Sequence, residues 1–300
     1  GLYLDKSAAM LISNTLTANA ARDEGGGLYL DKSAAMLISN TLTANAARYG
    51  GGLYLSASAP TLSANIVTSN TALSNGGGLY LTGSAPTLSA NIVTSNTARY
   101  GGGLYLAVSD ATLNNNIIAD NQAAAGSGLY IGGSSPHLLH NTIARNSGGD
   151  GHGVYVTDYT SWGGTTYCST VALTNTILVS QTLGITATAG NSVTLEATLW
   201  GSDAWANDAD WGGAGTIITG TPAYNYWGDP DFVDPDGGDY HIGSESAAID
   251  RGVDAGLDED RDGDRRPVDG DLDGVAVEDL GADEFTLRCI YLPSVLRQSS

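Results

Sequence analysis

A tetrapeptide of the form Gly-Leu/Val-Tyr-Leu/Ile/Val recurs through the first half of the chain, with its tyrosine at Tyr3, Tyr29, Tyr54, Tyr80, Tyr105, Tyr130 and Tyr155. The interval is 25 or 26 residues each time. A beat this regular restricts the chain to stacked, near-identical units, because one unit of this size cannot bury its apolar residues alone. Two asparagine series keep the same beat: Asn14, Asn40, Asn65, Asn91, Asn116 and Asn141, and, five residues later, Asn19, Asn45, Asn70, Asn96, Asn121 and Asn146. Residues 1–22 recur without change as residues 27–48.

Within one unit, Leu53-Tyr54-Leu55 alternates side chains between two faces, as a half-buried strand does. A second apolar series stands three residues before each first-series asparagine (Leu11, Leu37, Leu62, Leu88, Leu113, Leu138). A third stands two residues after it (Leu16, Leu42, Val67, Val93, Ile118, Ile143). The asparagine between them is expected to occupy the turn, since Asn tolerates the left-handed conformation a tight corner requires. The glycine run before most tyrosines supplies another corner. Three short strands and three turns per unit predict an all-β fold, a right-handed parallel β-helix of three-strand coils over residues 1–200, like residues stacked at about 4.8 Å. A leucine-rich-repeat horseshoe has an overlapping period, but the glycine runs and three separate apolar series argue against it. Stacked asparagines of the first series then form an amide ladder along the axis. Tyr29, Tyr54, Tyr80, Tyr105, Tyr130 and Tyr155 form an outward ladder with two readings: a binding surface for sugar rings or another protein, or ring stacking that stiffens the sheet.

The charge balance narrows the partners. With 32 acidic against 12 basic residues the formal charge is −20, which repels nucleic acid and anionic lipid and attracts cations. Cys168 and Cys289 stand in unrelated contexts, so neither a disulfide framework nor a metal-ligand spacing can be read from them. No apolar run is long enough for a membrane span, and the opening Gly1-Leu2-Tyr3-Leu4 has neither the basic region nor the cleavage site of a signal peptide. The chain opens in mid-repeat, so it is read as a fragment lacking an amino-terminal cap and export signal.

Acid–base chemistry has few candidates in the repeats. Asp110 and Asp120 are isolated in sequence and Arg145 stands alone. His137 and His140 lack a third ligand and read as a surface turn rather than a metal site. After Val156 an insertion containing Trp162, Tyr167 and Cys168 interrupts the beat and reads as a projecting loop. Beside it Asp150, His152 and Asp158 form the one tempting acid–base group.

From about residue 201 to 285 tryptophans appear and aspartates become dense, giving an acidic carboxy-terminal region that reads as last coils and a cap. Asp258, Asp260 and Asp262 before Gly263, with Asp269 at the twelfth position, have the alternating oxygen spacing of a calcium loop. Asp269, Asp271 and Asp273 repeat part of the pattern. Calcium is therefore the expected cofactor, the alternative being a solvated acidic turn pinned by Arg261, Arg265 and Arg266. Residues 286–300 form a tail, with order expected over Leu287 to Leu296.

The GGGLYL…LxxN…N pattern resembles the parallel β-helix repeats of bacterial secreted proteins, similar to polymorphic outer membrane protein repeats and the wider pectin-lyase-like superfamily. The ordered stretches Asp229–Pro235, Asp239–Ile242, Ala248–Gly252, Asp262–Pro267 and Asp279–Glu284 resemble the carboxy-terminal region of choice-of-anchor Q domain proteins. These resemblances imply export and display on a bacterial envelope without implying catalysis, since the fold hosts enzymes, adhesins and inert stalks alike. The sequence thus favours a secreted or cell-surface, non-catalytic, adhesin-like scaffold that acts as a monomer on a polysaccharide or cell-surface protein. A polysaccharide lyase or glycoside hydrolase with its groove near residues 145–170 is the alternative.

Overall fold

A computed structural model describes residues 1–220 and 224–286. The tyrosine tetrapeptides become strands of one parallel sheet of nine, formed by Leu2–Asp5, Leu28–Asp31, Leu53–Ser56, Leu79–Thr82, Leu104–Ala107, Leu129–Gly132, His152–Thr157, Leu183–Ala187 and Ala209–Gly212. These strands number coils one to nine. Register is like on like: Leu79 pairs with Leu53, Tyr80 with Tyr54 and Leu81 with Leu55. Because successive residues point to opposite faces, each of coils one to seven sends two aliphatic side chains inward and its tyrosine outward. A second, sixteen-stranded sheet carries two parallel columns, one through Leu62 and Leu88, the other through Val67 and Val93. In coils seven and eight the long strands Thr170–Val179 and Ser192–Gly201 run through both columns. Coils two to five add a fourth short strand, from Ala46–Tyr49 to Gln122–Ala125.

The interior is one continuous apolar column. Leu28, Leu53, Leu104 and Leu129 are fully buried, and in coil eight Trp200 fills the same space. Each such side chain contributes about 1.5–3 kcal/mol relative to exposure, so each coil is held by burial shared with its neighbours.

Corner geometry differs from the sequence expectation in one respect. The left-handed residue is the one before each asparagine: Ser13, Ser39, Ala64, Ala90, Asn115 and His140 in the first series, all with φ between 51 and 58°. Positive φ at these corners turns the following asparagine inward, where its side chain replaces the missing ladder bonds. Asn91 Oδ1 accepts the Asn65 backbone and side-chain N–H groups, both at 2.9 Å, and Asn91 Nδ2 donates to Leu62 O and Asn116 Oδ1, both at 3.0 Å. A serine column unmarked in the sequence reading does the same at another corner: Ser33, Ser58, Ser84, Ser109 and Ser134 each accept the backbone N–H of the serine one coil earlier. At the glycine corner, Gly50 has φ of 64° and a Cβ there would collide with the Leu53 carbonyl.

Coil nine closes at Asn225–Gly228, and the chain then doubles back along the outside of the second sheet. An antiparallel pair, Phe232–Asp234 with Asp239–Ile242, begins this flanking segment. Its Tyr240, Ile249 and Leu280 pack with Ile117, Ala144 and Ile177 from coils five to seven into a second apolar cluster. The outward face of the coils is built to receive it. Thr17, Thr43, Thr68 and Thr94 occupy one outward column in coils one to four, and in coils five to seven that column becomes Ala119, Ala144 and Val179, all fully buried.

Candidate functional site

The insertion within coil seven is a small hairpin, Tyr159–Thr160 paired with Thr166–Tyr167, that holds Trp162 fully in solvent. Asp150 and His152 come together at the base of this region, with His152 Nδ1 3.0 Å from Asp150 Oδ2. The imidazole is nevertheless packed flat against Tyr155, rings 5.3 Å apart and 6° from parallel, and its Nε2 faces Thr186 at 3.4 Å. Asp158 bonds only its neighbour Thr157 among described side chains. Cys168 is an exposed free thiol; Cys289 and the segment Leu287 to Leu296 lie outside the described residues.

The tyrosine column is a ring stack. Tyr54, Tyr80, Tyr105 and Tyr130 lie 4.8–5.0 Å apart and 8–12° from parallel, Tyr155 continues the stack at 26°, and Tyr29 meets Tyr54 edge-on. Each inner ring therefore spends both faces on its neighbours and turns only its edge and hydroxyl outward. Burial pushes the Tyr80 and Tyr130 phenols up to about 12, and those of Tyr54 and Tyr105 further. A second aromatic pair flanks the stack: Tyr49 and Tyr100 approach Tyr80 and Tyr130, and Arg48 and Arg99 each lie 5.1 Å from their own neighbour's ring.

The flanking segment assembles residues that looked solitary in sequence. Arg145 Nε lies 3.0 Å from Asp120 and its Nη1 2.8 Å from Asp236, while the Tyr240 hydroxyl donates to Asp120 at 2.6 Å. Asp120, Arg145 and Asp236 line an open groove of about 700 Å³ with Thr94, Gln122 and Gly237. His140, expected at a surface turn, is fully buried instead: its Nδ1 faces Arg266 Nη1 at 2.7 Å and its Nε2 faces Asn175 Nδ2 at 2.8 Å. Burial and the adjacent guanidinium lower His140 to about 3, so it is neutral and accepts from Arg266. Arg266 also pairs with Glu284 at 3.0 Å, both side chains fully buried, and donates to the carbonyls of Asp279 and Gly281. The sequence signal for this dock is the break in the corner column, where Ser13, Ser39, Ala64 and Ala90 give way to Asn115, His140 and Asn175.

The six aspartates of the calcium-loop spacing have different surroundings. Asp258 is exposed. Asp260 is buried and spends both oxygens on backbone N–H groups, from Asp262 and Asp264 on one side and Glu284 on the other. Asp269 and Asp271 converge with Asp250, carboxylate oxygens within 4.8 Å. Asp250 accepts from the backbone of Gly270, Asp271 and Val277, and Asp269 Oδ1 is buried without a partner. Asp273 closes a turn onto the Val275 N–H. Asp262 turns away towards His241, its Oδ2 2.6 Å from Nε2, and Asp283 completes that group. The other ring nitrogen of His241 bonds Asp239. Burial pulls the imidazole down, but the bonds to Asp239 and Asp262 outweigh it and the net direction is up. Asp283, buried, is pushed up to about 6.

Among the described residues no helix is long and apolar enough to cross a membrane. Comparison with curated proteins finds no match. The family described as a right-handed β-helix region matches residues 1–171, more than half of the chain and the same stretch that carries the stacked tyrosine and asparagine columns. The protein is a member of the right-handed β-helix family.

Proposed function

We propose that this protein is a non-catalytic β-helix scaffold displayed outside the bacterial cell, where its repeated outer columns engage a polysaccharide or another surface protein at several points. The observation that carries the reading is the register of the outward side chains: Thr43, Thr68 and Thr94 stack on one another, and Arg48–Tyr49 recurs two coils on as Arg99–Tyr100. Identical groups at a fixed pitch suit a repetitive ligand, with affinity built by multivalency. The inner tyrosine rings support stiffness rather than sugar-face stacking, because their faces are already occupied. The resemblance of residues 225–285 to choice-of-anchor Q regions supports export and display. Calcium belongs to the reading at Asp250, Asp269 and Asp271, where the buried, unpartnered Asp269 oxygen calls for a cation. Its test is a rise in melting temperature with calcium that Asp269→Asn removes.

The groove around Asp120, Arg145 and Asp236 favours a second reading, a carbohydrate-active enzyme of the lyase or hydrolase type. Incubation with a panel of acidic and neutral polysaccharides decides between them. Retention without products supports the scaffold, and new reducing ends or unsaturated uronides establish the enzyme.

A further inference from the structure

Where the flanking hairpin meets the last described turns, one histidine gathers three carboxylates around it. His241 lies on the strand Asp239–Ile242, and its two ring nitrogens face different carboxylates, Asp239 at Nδ1 and Asp262 at Nε2. A histidine that ligates a metal through one nitrogen characteristically gives its other N–H to a carboxylate, which fixes tautomer and ring orientation. Asp239 stands in that orienting place, two residues back on the same strand. Nε2 is thereby aimed at Asp262 Oδ2 and at Asp283, ligand atoms within 4.8 Å of one another.

Asp283 is the most buried carboxylate of this set. The residue is 8% exposed, and one oxygen accepts the Ile242 N–H at 2.8 Å. Its other oxygen has no hydrogen-bond donor among the described residues. A carboxylate this buried is stabilised by positive charge beside it, and the His241 imidazole already acts on it in that way. The Arg261 guanidinium is engaged on Asp262 at 3.0 and 3.3 Å. Asp239, His241 and Asp283 also line a recess of about 250 Å³, so an ion held there keeps coordination positions open to solvent.

We propose that His241 Nε2, Asp262 and Asp283 bind a first-row divalent transition metal, zinc in the first instance, with Asp239 orienting the imidazole and solvent completing the coordination. Imidazole selects this class of ion over calcium and magnesium, which take oxygen ligands. The site is therefore separate in chemistry as well as place from the all-oxygen cluster of Asp250, Asp269 and Asp271.

The test is calorimetric titration of the full chain with zinc in the presence of excess calcium, beside His241→Gln, Asp239→Asn, Arg261→Gln and Asp271→Asn variants shown to be folded by circular dichroism. The expected result is one zinc equivalent per chain. Binding should be lost in His241→Gln, weakened about 10–100-fold in Asp239→Asn, tightened in Arg261→Gln and unchanged in Asp271→Asn. Zinc binding that persists in folded His241→Gln, that calcium displaces, or that is lost in Asp271→Asn would overturn the assignment. So would the absence of zinc binding to the parent chain.

Discussion

Truncating a single interior asparagine is the sharpest trial of how the coils are joined. Asn91→Ala removes four side-chain hydrogen bonds at 2.9–3.0 Å. Asn65 Nδ2 keeps Leu37 O, and Asn116 Oδ1 keeps the residue-91 backbone N–H. The Asn65 backbone N–H, in a residue 1% exposed, is left with nothing. A stranded buried donor costs about 1–3 kcal/mol and each of the three other bonds about 0.5–1.5, giving about 2.5–7.5 kcal/mol. Asn14→Ala in coil one is the internal control. Asn14 lies in an exposed part of coil one, and its own backbone N–H keeps Asn40 Oδ1, so the truncation strands no donor and costs about 1 kcal/mol or less. Native-state hydrogen exchange reads the difference at the residues involved, without assuming that a repeat array unfolds in one step. The Asn65 amide should exchange about a hundredfold faster or more in Asn91→Ala and hardly change in Asn14→Ala. Equal effects from the two substitutions would refute the view that the amides carry inter-coil bonds that water cannot replace.

Arg266→Met removes the buried partner of Glu284 and His140 and should cost about 3–5 kcal/mol, seen as limited proteolysis within residues 229–286 while the coils stay intact. The same dock should loosen with rising pH. Burial above all, with the Glu284 charge adding at Asp279, raises Asp279 and Glu284 above the usual carboxylate range. A carboxyl with a raised folded-state value holds its proton more tightly when folded. Its contribution is therefore complete below the unfolded value near 4 and is lost as pH climbs through the folded one. Exchange in residues 242–285, corrected for intrinsic rate, should rise between about pH 6 and 9, and Glu284→Gln should flatten that rise. In a spectrophotometric titration the stacked tyrosines should stay un-ionised until pH about 12, while Tyr3, exposed in coil one, is raised less and ionises before them. Tyr105→Ala deletes two ring pairs and should cost about 1–3 kcal/mol in urea unfolding.

The coil architecture was legible because stacking forces like residues into register, and register writes itself into sequence as a period. The asparagine ladder followed from the same logic. The corner assignment slipped by one residue: asparagine's tolerance of positive φ is a local preference, whereas its column is set by the inward bonds that only the residue after the corner can make. The flanking dock was harder to see because its signal is a departure from the repeat. Ala119, Ala144 and Val179 replace a threonine column, and His140 replaces a serine or alanine, with nothing in local pattern to name the partner. His241 escaped for a related reason, since Asp262 lies 21 residues away and only the fold-back brings it near. The acidic spacing from Asp258 to Asp273 read as one loop because spacing cannot reveal which oxygens the backbone will claim; Asp260 is fully used by three N–H groups.

The flank packs on coils five to eight, borders coil four across an open groove, and leaves coils one to three bare of it. Two of those bare coils share an identical run of 22 residues. A gain or loss of one such turn by duplication in the coding sequence would lengthen or shorten the rod by about 4.8 Å and leave the clasped end untouched. Reach can thus evolve in whole steps, independently of the part that carries the acidic chemistry.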